Sequence, residues 1–159
     1  MSTRSYIAEE LPNGKYKVIY CHFDGYLEHN GEILINHYQD RNKLEKLLSF
    51  GDLSSLDKNI DPDPNLPHSL DYKEQQKDVC VFYNRDGNEN NPDWNAKVLT
   101  KEEMFDNDWI EYFYIFTLED KWKYYDYEQD ILRDVAEDLE KLKQEQESNK
   151  KQSNSDEEM

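Results

Sequence analysis

The segment from Trp109 to Thr117 constrains the fold more than any other part of this chain. Aromatic and aliphatic side chains occupy both alternating sets of its positions, with Trp109, Phe113 and Ile115 in one set and Ile110, Tyr112, Tyr114 and Phe116 in the other. Neighbouring side chains of a strand point to opposite faces of its sheet. A strand that is apolar on both faces needs cover on both, so the segment predicts a strand buried on both sides.

Two hairpins frame the predicted sheet. Near the N-terminus, strand-forming residues at 6–9 and 16–23 flank Leu11-Pro12-Asn13-Gly14, where Pro presets φ and Asn and Gly accept a positive φ. The aromatic segment is followed by a turn at Glu119-Asp120 and a return strand at 121–127, with Trp122 facing the core. Residues 79–83 also have strand composition. The sequence therefore predicts an antiparallel sheet of about five strands.

Helix signals lie between the strands. Apolar spacing predicts a first helix over 31–38, capped by Asn30, and a second helix capped by Asp40. Gly51 has the position of a residue that ends the second helix, and Asp52 then caps a short turn that runs through 56.

Two more helices are predicted in the second half of the chain. Thr100 and Glu103 have the spacing of a capping box, and residues 128–144 carry an apolar stripe. Residues 57–77 and 84–95 are polar and interrupted by Pro, Asn or Gly, which predicts exposed loops.

Strands and helices that do not alternate strictly predict an α+β fold. We expect the helices to pack against one face of the five-stranded antiparallel sheet, in a single domain that spans 1–145. Residues 146–159 are almost entirely polar, and they predict a mobile, disordered acidic tail because little apolar surface offsets the entropy of ordering them.

Charge is the second constraint. The chain has 36 Asp and Glu against 19 Lys and Arg, a net charge of −17. Residues 137–159 carry −4, which leaves −13 on residues 1–136. Such a surface repels nucleic acid and anionic membranes and attracts basic proteins, unless the acidity serves solubility alone. The sequence shows no signal peptide and no membrane-spanning run, so a cytoplasmic location is expected.

The densest group of chemically capable side chains lies between residues 21 and 29. His22, Asp24, Tyr26 and His29 form a candidate pocket, since His and carboxylate groups transfer protons and bind metals. The spacing matches no established zinc pattern, and Asp24 followed by Gly equally suits a plain turn between strand and helix. Both cysteines of the chain are expected to be free thiols.

Other chemical motifs are weak or missing from the sequence. Neither of the acidic turns at 61–63 and 86–89 supplies the full set of spaced oxygens, mid-loop Gly and late Glu that a calcium loop needs. A glycine-rich phosphate loop and a Gly-x-Ser-x-Gly elbow are both missing. We therefore expect no catalytic residues, no metal ligands, no cofactor and no enzymatic activity.

Acidic residues crowd the region around the second hairpin and the last predicted helix. These candidates for an interaction surface are Glu102, Glu103, Asp106, Asp108, Glu111, Glu119, Asp120, Asp126, Glu128 and Asp130. Carboxylates spread over a rigid surface imitate the charge of a phosphate backbone, so the basic groove of a partner would be attracted to them. A solvated face with no partner is the alternative.

Four short motifs in the first 56 residues carry a resemblance: Ser2-Thr3-Arg4-Ser5, Tyr20-Cys21-His22-Phe23-Asp24-Gly25-Tyr26, His37-Tyr38 and Gly51-Asp52-Leu53-Ser54-Ser55-Leu56. Through them the chain resembles a group of small uncharacterised bacteriophage and prophage proteins, which have Trp where Phe23 stands here. The resemblance implies a phage-type accessory protein in a bacterial cytoplasm, a kind that often binds and redirects host factors, including defence systems. It implies no catalytic residues.

Three functions follow as hypotheses. The leading one is a binding protein that docks its acidic surface on a basic host protein, such as a nuclease, a DNA-binding factor or a defence protein, in imitation of DNA. The second is a small enzyme or ligand-binding protein that uses His22, Asp24 and His29. The third is a structural or scaffold protein of a phage particle. No direct contact with nucleic acid or membrane is expected, and the oligomeric state is left open.

Overall fold

The computed structural model describes residues 2–157, with side chains up to residue 149. Within that range the strands are β1 (Ser5–Glu10), β2 (Tyr16–Cys21), β3 (Leu53–Ser55), β4 (Val81–Phe82), β5 (Lys97–Leu99), β6 (Tyr112–Phe116), β7 (Trp122–Asp126) and β8 (Ile131–Asp134). The α-helices are α1 (Glu32–His37), α2 (Arg41–Ser49), α3 (Tyr83–Asp86), α4 (Lys101–Phe105) and α5 (Val135–Glu157). A π-helical turn at Leu27–Gly31 leads directly into α1. The fold is α+β, as the sequence predicts.

All eight strands belong to one mixed sheet. Its order is β4-β3-β2-β1-β6-β7-β8, with β5 paired to a further part of β2. The prediction of an antiparallel sheet of five strands is wrong, because β1 runs parallel to β6 and β2 runs parallel to β3. A parallel pair is joined by a long connection and leaves no turn signature in the sequence, so neither pair is predictable from local signals.

Both predicted hairpins are confirmed. In the first, Ser5 of β1 lies opposite Cys21 of β2, and Gly14 closes the turn with a φ of +82°. In the second, Phe116 of β6 pairs with Trp122 of β7, and the Trp122 side chain is buried. Tight turns between alternating strands are local features, which is why the sequence identifies them.

The sheet has an apolar core on each face. On one face, α1, α2 and α5 pack over the sheet, through a group that includes Ile7, Ile19, Leu34, Leu44, Leu47, Tyr114, Phe116, Val135 and Leu139. On the other face, α4 covers a smaller group, made of Ala8, Val18, Met104, Ile110, Phe113 and Ile115. The expectation of helices on one face is therefore wrong. The aromatic strand β6 is apolar on both faces, as predicted. Helices on both sides of the sheet are therefore needed to cover it.

Asn30 does not cap the first helix as predicted. Its residue is fully buried, and its Nδ2 donates to Ser5 Oγ at 3.2 Å and lies 3.4 Å from Cys21 Sγ. The π-helical turn shifts the start of α1 to Glu32, so the backbone at Asn30 is already helical. The side chain instead joins this turn to the adjacent ends of β1 and β2, where its hydrogen bonds offset the cost of burying an amide.

Helix α2 follows its sequence signals. Asp40 caps it, since its Oδ1 accepts a hydrogen bond from the N–H of Asn42 at 3.0 Å. Gly51 follows the helix with a φ of +82°, the left-handed conformation that glycine adopts at low cost. A Cβ built on Gly51 would lie 2.2 Å from the carbonyl oxygen of Trp94. Gly51 therefore serves both as the end of a helix and as a close backbone contact.

The capping box of α4 is also confirmed, with Thr100 and Glu103 exchanging hydrogen bonds. The aromatic strand begins later than predicted, at Tyr112. Residues 106–111 form a loop in which Asn107 Oδ1 accepts a hydrogen bond from the N–H of Trp109 at 3.0 Å. The Trp109 side chain is consequently 71% exposed instead of buried in the sheet.

The predicted last helix starts too early. Residues 131–134 form β8, in which Leu132 pairs with Tyr125 of β7, and the helix α5 begins at Val135. Ile131 and Leu132 fit an apolar helix stripe and a strand equally well, and the pairing with β7 decides between them. Helix α5 continues to Glu157, and residues 158–159 lie outside the described residues. Disorder of the tail at 146–159 stays a prediction.

A buried ionic network fixes the long predicted loop at 57–77. Asp86 accepts hydrogen bonds from Arg85 Nε at 2.9 Å and from the backbone N–H of Phe82 at 2.8 Å. Arg85 Nη1 also donates to the carbonyl of Ile60 at 2.6 Å, and His68 bonds the carbonyl of Cys80 at 2.9 Å. The loop is thus polar but anchored, because the carbonyl of Ile60 accepts a hydrogen bond from Arg85 and the ring of His68 lies beside Asp86.

Replacement of Gly51 by Ala tests the close contact behind α2. We expect G51A to lower the free energy of unfolding by about 3 kcal/mol or more, since a positive φ and a backbone clash act together. Gly14 provides the matched control, because it has the same φ of +82° and a Cβ added there would meet no atom within 4 Å. We expect G14A to cost about 1 kcal/mol. Urea unfolding measures both, and equal losses would contradict the interpretation.

Candidate functional site

Two other strands pair with different parts of one edge of β2. Strand β5 pairs with β2 along Tyr16, Lys17 and Val18, and β3 pairs with it at Cys21. Tyr20 lies in the gap between these two pairings. Its backbone N–H donates to the Oδ1 of Asp52 at 2.9 Å, so a side chain takes the place that a strand carbonyl would have. This gap in the sheet is the base of the candidate site.

Asp52 is held firmly in this gap. It follows Gly51, its own N–H donates to the carbonyl of Trp94 at 2.7 Å, and its carbonyl accepts from the N–H of Tyr83 at 3.2 Å. Burial raises the pKa of Asp52 to about 6, although the Tyr20 hydrogen bond and the charge of Lys97 oppose this. The predicted role of Asp52 as the cap of a short turn is wrong, because residues 53–55 form the strand β3.

A pocket of about 490 Å³ opens beside Asp52 on the α4 side of the sheet. Its apolar lining is Val18, Ile19, Leu99 and Ile110, and its polar and aromatic lining is Arg4, Tyr6, Tyr20, Asp52, Lys97, Asn107 and Trp109. This mixture of an apolar surface with a few converging polar groups is typical of sites for small molecules.

Hydrogen bonds fix the aromatic rings of the pocket. Asn107 Nδ2 donates to the hydroxyl of Tyr6 at 2.8 Å, and the hydroxyl of Tyr20 lies 2.7 Å from Nδ1 of His22. The Arg4 guanidinium lies 5.3 Å from the centre of the Trp109 ring, within the range of a cation–π contact. The rings are therefore oriented before any ligand arrives.

Arg4 differs from the other arginines of the chain. Arg41, Arg85 and Arg133 each pair with a carboxylate, namely with Glu9 and Asp120, with Asp86, and with Asp126 and Asp138. Among the residues that the structure describes, no carboxylate lies within ion-pair distance of Arg4. Lys97 also lines the pocket, and it too has no ion-pair partner among the described residues. The pocket thus carries two cations in a strongly acidic protein.

The four residues of the predicted pocket at 22–29 have different contacts. His22 lies 3.1 Å from Ser2 Oγ through Nε2, and its ring packs against Phe23 at 4.6 Å between centroids. Burial lowers the pKa of His22, and the charge of Arg4 lowers it further, which favours the neutral ring. The hydrogen-bond partners of His22 thus belong to the N-terminus and to β2.

The other members of that predicted group have different surroundings. His29 Nδ1 lies 2.9 Å from Oδ1 of Asn30, and its ring lies 6.1 Å from that of Tyr26. Asp24 is exposed and has a φ of +58°, which suits the turn that the alternative interpretation gave it. The rings of Tyr26 and His29 thus lie beside each other, whereas the contacts of His22 are with Ser2, Tyr20 and Phe23.

The predicted acidic surface lies at two ends of the sheet. Because β6 and β7 are antiparallel, the loop before β6 and the turn after β7 share one end, and the Tyr127 hydroxyl donates to the Ile110 carbonyl across them at 3.2 Å. We call this region the acidic end, and its residues are Asp106, Asp108, Glu111, Glu128 and Asp130. Glu119 and Asp120 lie at the opposite end, in the β6–β7 turn. Glu102 and Glu103 lie on α4.

Cations neutralise part of the predicted acidic group. Asp120 pairs with Arg41, and Asp126 lies 3.6 Å from Arg133. Hydrogen bonds from Thr100 lower the pKa of Glu103, which keeps that carboxylate charged. Among the side chains of residues 2–149, the structure gives none of the five carboxylates of the acidic end a Lys or Arg partner. The acidic end, like Glu102, Glu103 and Glu119, therefore has no ion pair to neutralise it among the side chains that the structure describes.

The described residues and the comparisons with known proteins give no further candidate site. In the described part of the chain, no three His, Cys, Asp or Glu side chains come close enough together to hold a metal ion. None of the helices described combines the length and apolar character needed to cross a membrane. No family model matches the chain, and no curated protein or solved structure is significantly similar to it.

Sequence reasoning misses the pocket because its residues are far apart in the chain. Arg4 and Asp52 fall inside motifs that the sequence singles out, but nothing local indicates that they converge. The alternation of β6 extends to Trp109 and predicts it as part of a buried strand, and no pattern marks Lys97. The available signal is indirect: Arg4 lies just before one strand and Trp109 just before another, and parallel pairing of the two strands brings them together.

The raised pKa of Asp52 predicts a specific pH dependence of stability. Its carboxyl binds a proton more tightly in the folded than in the unfolded chain, so its ionisation destabilises the fold as pH rises from about 4 to about 6. Asn at this position keeps the acceptor for Tyr20 and removes the charge. We expect D52N to be more stable than the parent at pH 7.5, and the difference to shrink at pH 5. Urea unfolding at both pH values measures this, and a difference that grows at pH 5 would contradict it.

Proposed function

We propose that this chain is a non-enzymatic binding protein that docks its acidic end on a basic protein. The observation that carries the proposal is the side-by-side position of two acidic loops, 106–111 and 127–130, whose five carboxylates have no ion-pair partner among the side chains that the structure describes. A basic partner, such as a DNA-binding or defence protein of a bacterial host, has the charge that such a surface attracts.

Rigid aromatic contacts support this proposal. The ring of Phe105 stacks on that of Tyr125 at 4.2 Å, and Phe113 contacts Tyr127 at 5.5 Å between centroids. These contacts hold α4 and the turn after β7 against each other. Burial raises the pKa of Tyr127 to about 12, and the nearby charge of Asp108 adds to the rise, which agrees with the closeness of the two loops. Carboxylates fixed in space lose little entropy when a partner binds.

A resemblance to DNA is part of the proposal. Tyr127 is about half exposed between the carboxylates, and it offers apolar surface and a ring face to partner Arg side chains. A partner that normally binds the phosphate backbone would engage the acidic end with the same Lys and Arg groove. The resemblance to small phage proteins favours a bacterial host as the setting. The alternative of an enzyme at His22 has less support, since the ring of His22 already has partners on both nitrogens. The alternative of a particle scaffold also has less support.

Neutralising the acidic end tests the proposal. The variant D106N/D108N/E111Q/E128Q removes four charges whose side chains form no hydrogen bond with the described residues. We expect it to weaken binding to the basic partner by about 2 kcal/mol, roughly thirty-fold. The measurement is a pull-down from bacterial lysate at 50 and 500 mM salt, with mass spectrometry, followed by titration of the captured basic protein.

A matched control variant has the same net charge. E45Q/E89Q/D93N/E140Q removes four exposed acids elsewhere, and it should bind like the parent. Duplex DNA should displace the captured protein if the acidic end imitates a phosphate backbone. The proposal fails if the parent retains no basic protein at 50 mM salt, or if both variants weaken binding equally.

A further inference from the structure

We propose that the pocket between Arg4, Asp52, Lys97 and Trp109 binds a nucleoside monophosphate, a small molecule that combines a planar ring, hydrogen-bond donors and a phosphate. The proposal is independent of the docking function proposed above, because it concerns different side chains. Each of the three parts of such a ligand has a counterpart in the pocket.

Size and lining make the pocket suitable for a ligand of this kind. Its volume of about 490 Å³ falls within the range of about 300–1,000 Å³ that is usual for small-molecule sites. Val18, Leu99 and Ile110 supply apolar surface above the sheet. The gap between β3 and β5 gives the pocket its depth, because neither strand fills the edge of β2 at Tyr20.

The two cations of the pocket call for an anion. Arg41, Arg85 and Arg133 are used in ion pairs within the fold, whereas Arg4 has no carboxylate partner among the described residues. Lys97 also lines the pocket, near enough to lower the pKa of Asp52 without forming an ion pair with it. In a chain of net charge −17, two cations that line one pocket without a carboxylate partner among the described residues give a phosphate a place to bind.

An aromatic ring has a surface to stack on. Trp109 lines the pocket and is mostly exposed, although Arg4 lies over part of its ring. Bases stack on exposed aromatic side chains with little dependence on their identity. Tyr6 is held by Asn107, and Tyr20 is held by His22, so the neighbouring rings keep fixed positions around the Trp109 side chain.

Asp52 provides an acceptor for the hydroxyl or amino groups of the ligand. Its Oδ1 accepts the hydrogen bond from Tyr20, while Oδ2 has no hydrogen bond from the residues that the structure describes. Ribose hydroxyls and exocyclic amines are donors of the type that a carboxylate oxygen accepts. An anion bearing only acceptors would be repelled by Asp52, which favours a nucleotide over a simple aromatic acid.

Calorimetric titration of the full chain tests the proposal. The probes are AMP, GMP, CMP and UMP. Adenosine, which lacks the phosphate, and inorganic phosphate, which lacks the nucleoside, are titrated as partial ligands. We expect at least one nucleotide to saturate the protein at a 1:1 ratio, and both partial ligands to bind at least about tenfold more weakly. Amide chemical shifts should change at Tyr20, Asp52 and Trp109.

Two variants and a control assign the binding to the pocket. R4Q and W109A should each weaken nucleotide binding by about tenfold or more, since they remove the phosphate contact and the stacking surface. K121Q removes an exposed cation at the far end of the sheet and should bind like the parent. Urea unfolding of each variant establishes that the fold persists. The proposal is overturned if no nucleotide saturates the protein, if inorganic phosphate binds as tightly as every nucleotide, or if folded R4Q and W109A both bind like the parent.

Discussion

The parallel pairing of β1 with β6 is the contact on which the rest of this structure depends. It joins Ser5–Glu9 to Tyr112–Phe116, which are about a hundred residues apart in the chain. Without it, the five strands β1 to β5 and the three strands β6 to β8 would form two separate sheets. With it, Ile7 and Tyr114 enter one core, and Ala8 and Ile115 enter the other.

The same pairing positions the pocket. The residues just before the two strands are carried to one place, and the N–H of Glu111 donates to the carbonyl of Arg4 at 3.0 Å. Arg4 therefore lies beside Trp109. Antiparallel β7 returns to this end as well, so the acidic end and the cationic pocket are neighbours. Two surfaces of opposite charge thus lie close together on a chain that is acidic almost everywhere else.

Local features are predictable from the sequence, and distant contacts are not. The turn ending at Gly14, the cap at Asp40 and the capping box at Thr100 depend on residues within a few positions of each other, so their patterns are visible in the sequence. Strand β3, strand β5 and the parallel ladders depend on partners far along the chain. Asn30 and Asp52 show the same difference: each has the residue type of a helix cap, but each uses its side chain to form a hydrogen bond with a distant strand.

The candidate site is also predictable only in part. The concentration of carboxylates around 102–130 is a property of composition, whereas the pocket depends wholly on tertiary contacts between five separate segments.

The order of strands along the chain also has a consequence during synthesis. The hairpin of β1 and β2 leaves the ribosome with the edge of β1 unpaired, and β6 follows only about a hundred residues later. At about 5–20 residues per second, that edge waits on the order of 5–20 s for its partner. Exposed edges recruit strands from other chains, and charged side chains on them discourage this. Glu9 and Glu10 place two charges of this kind at the end of β1, and in the folded chain Arg41 and the backbone of Leu118 are their partners.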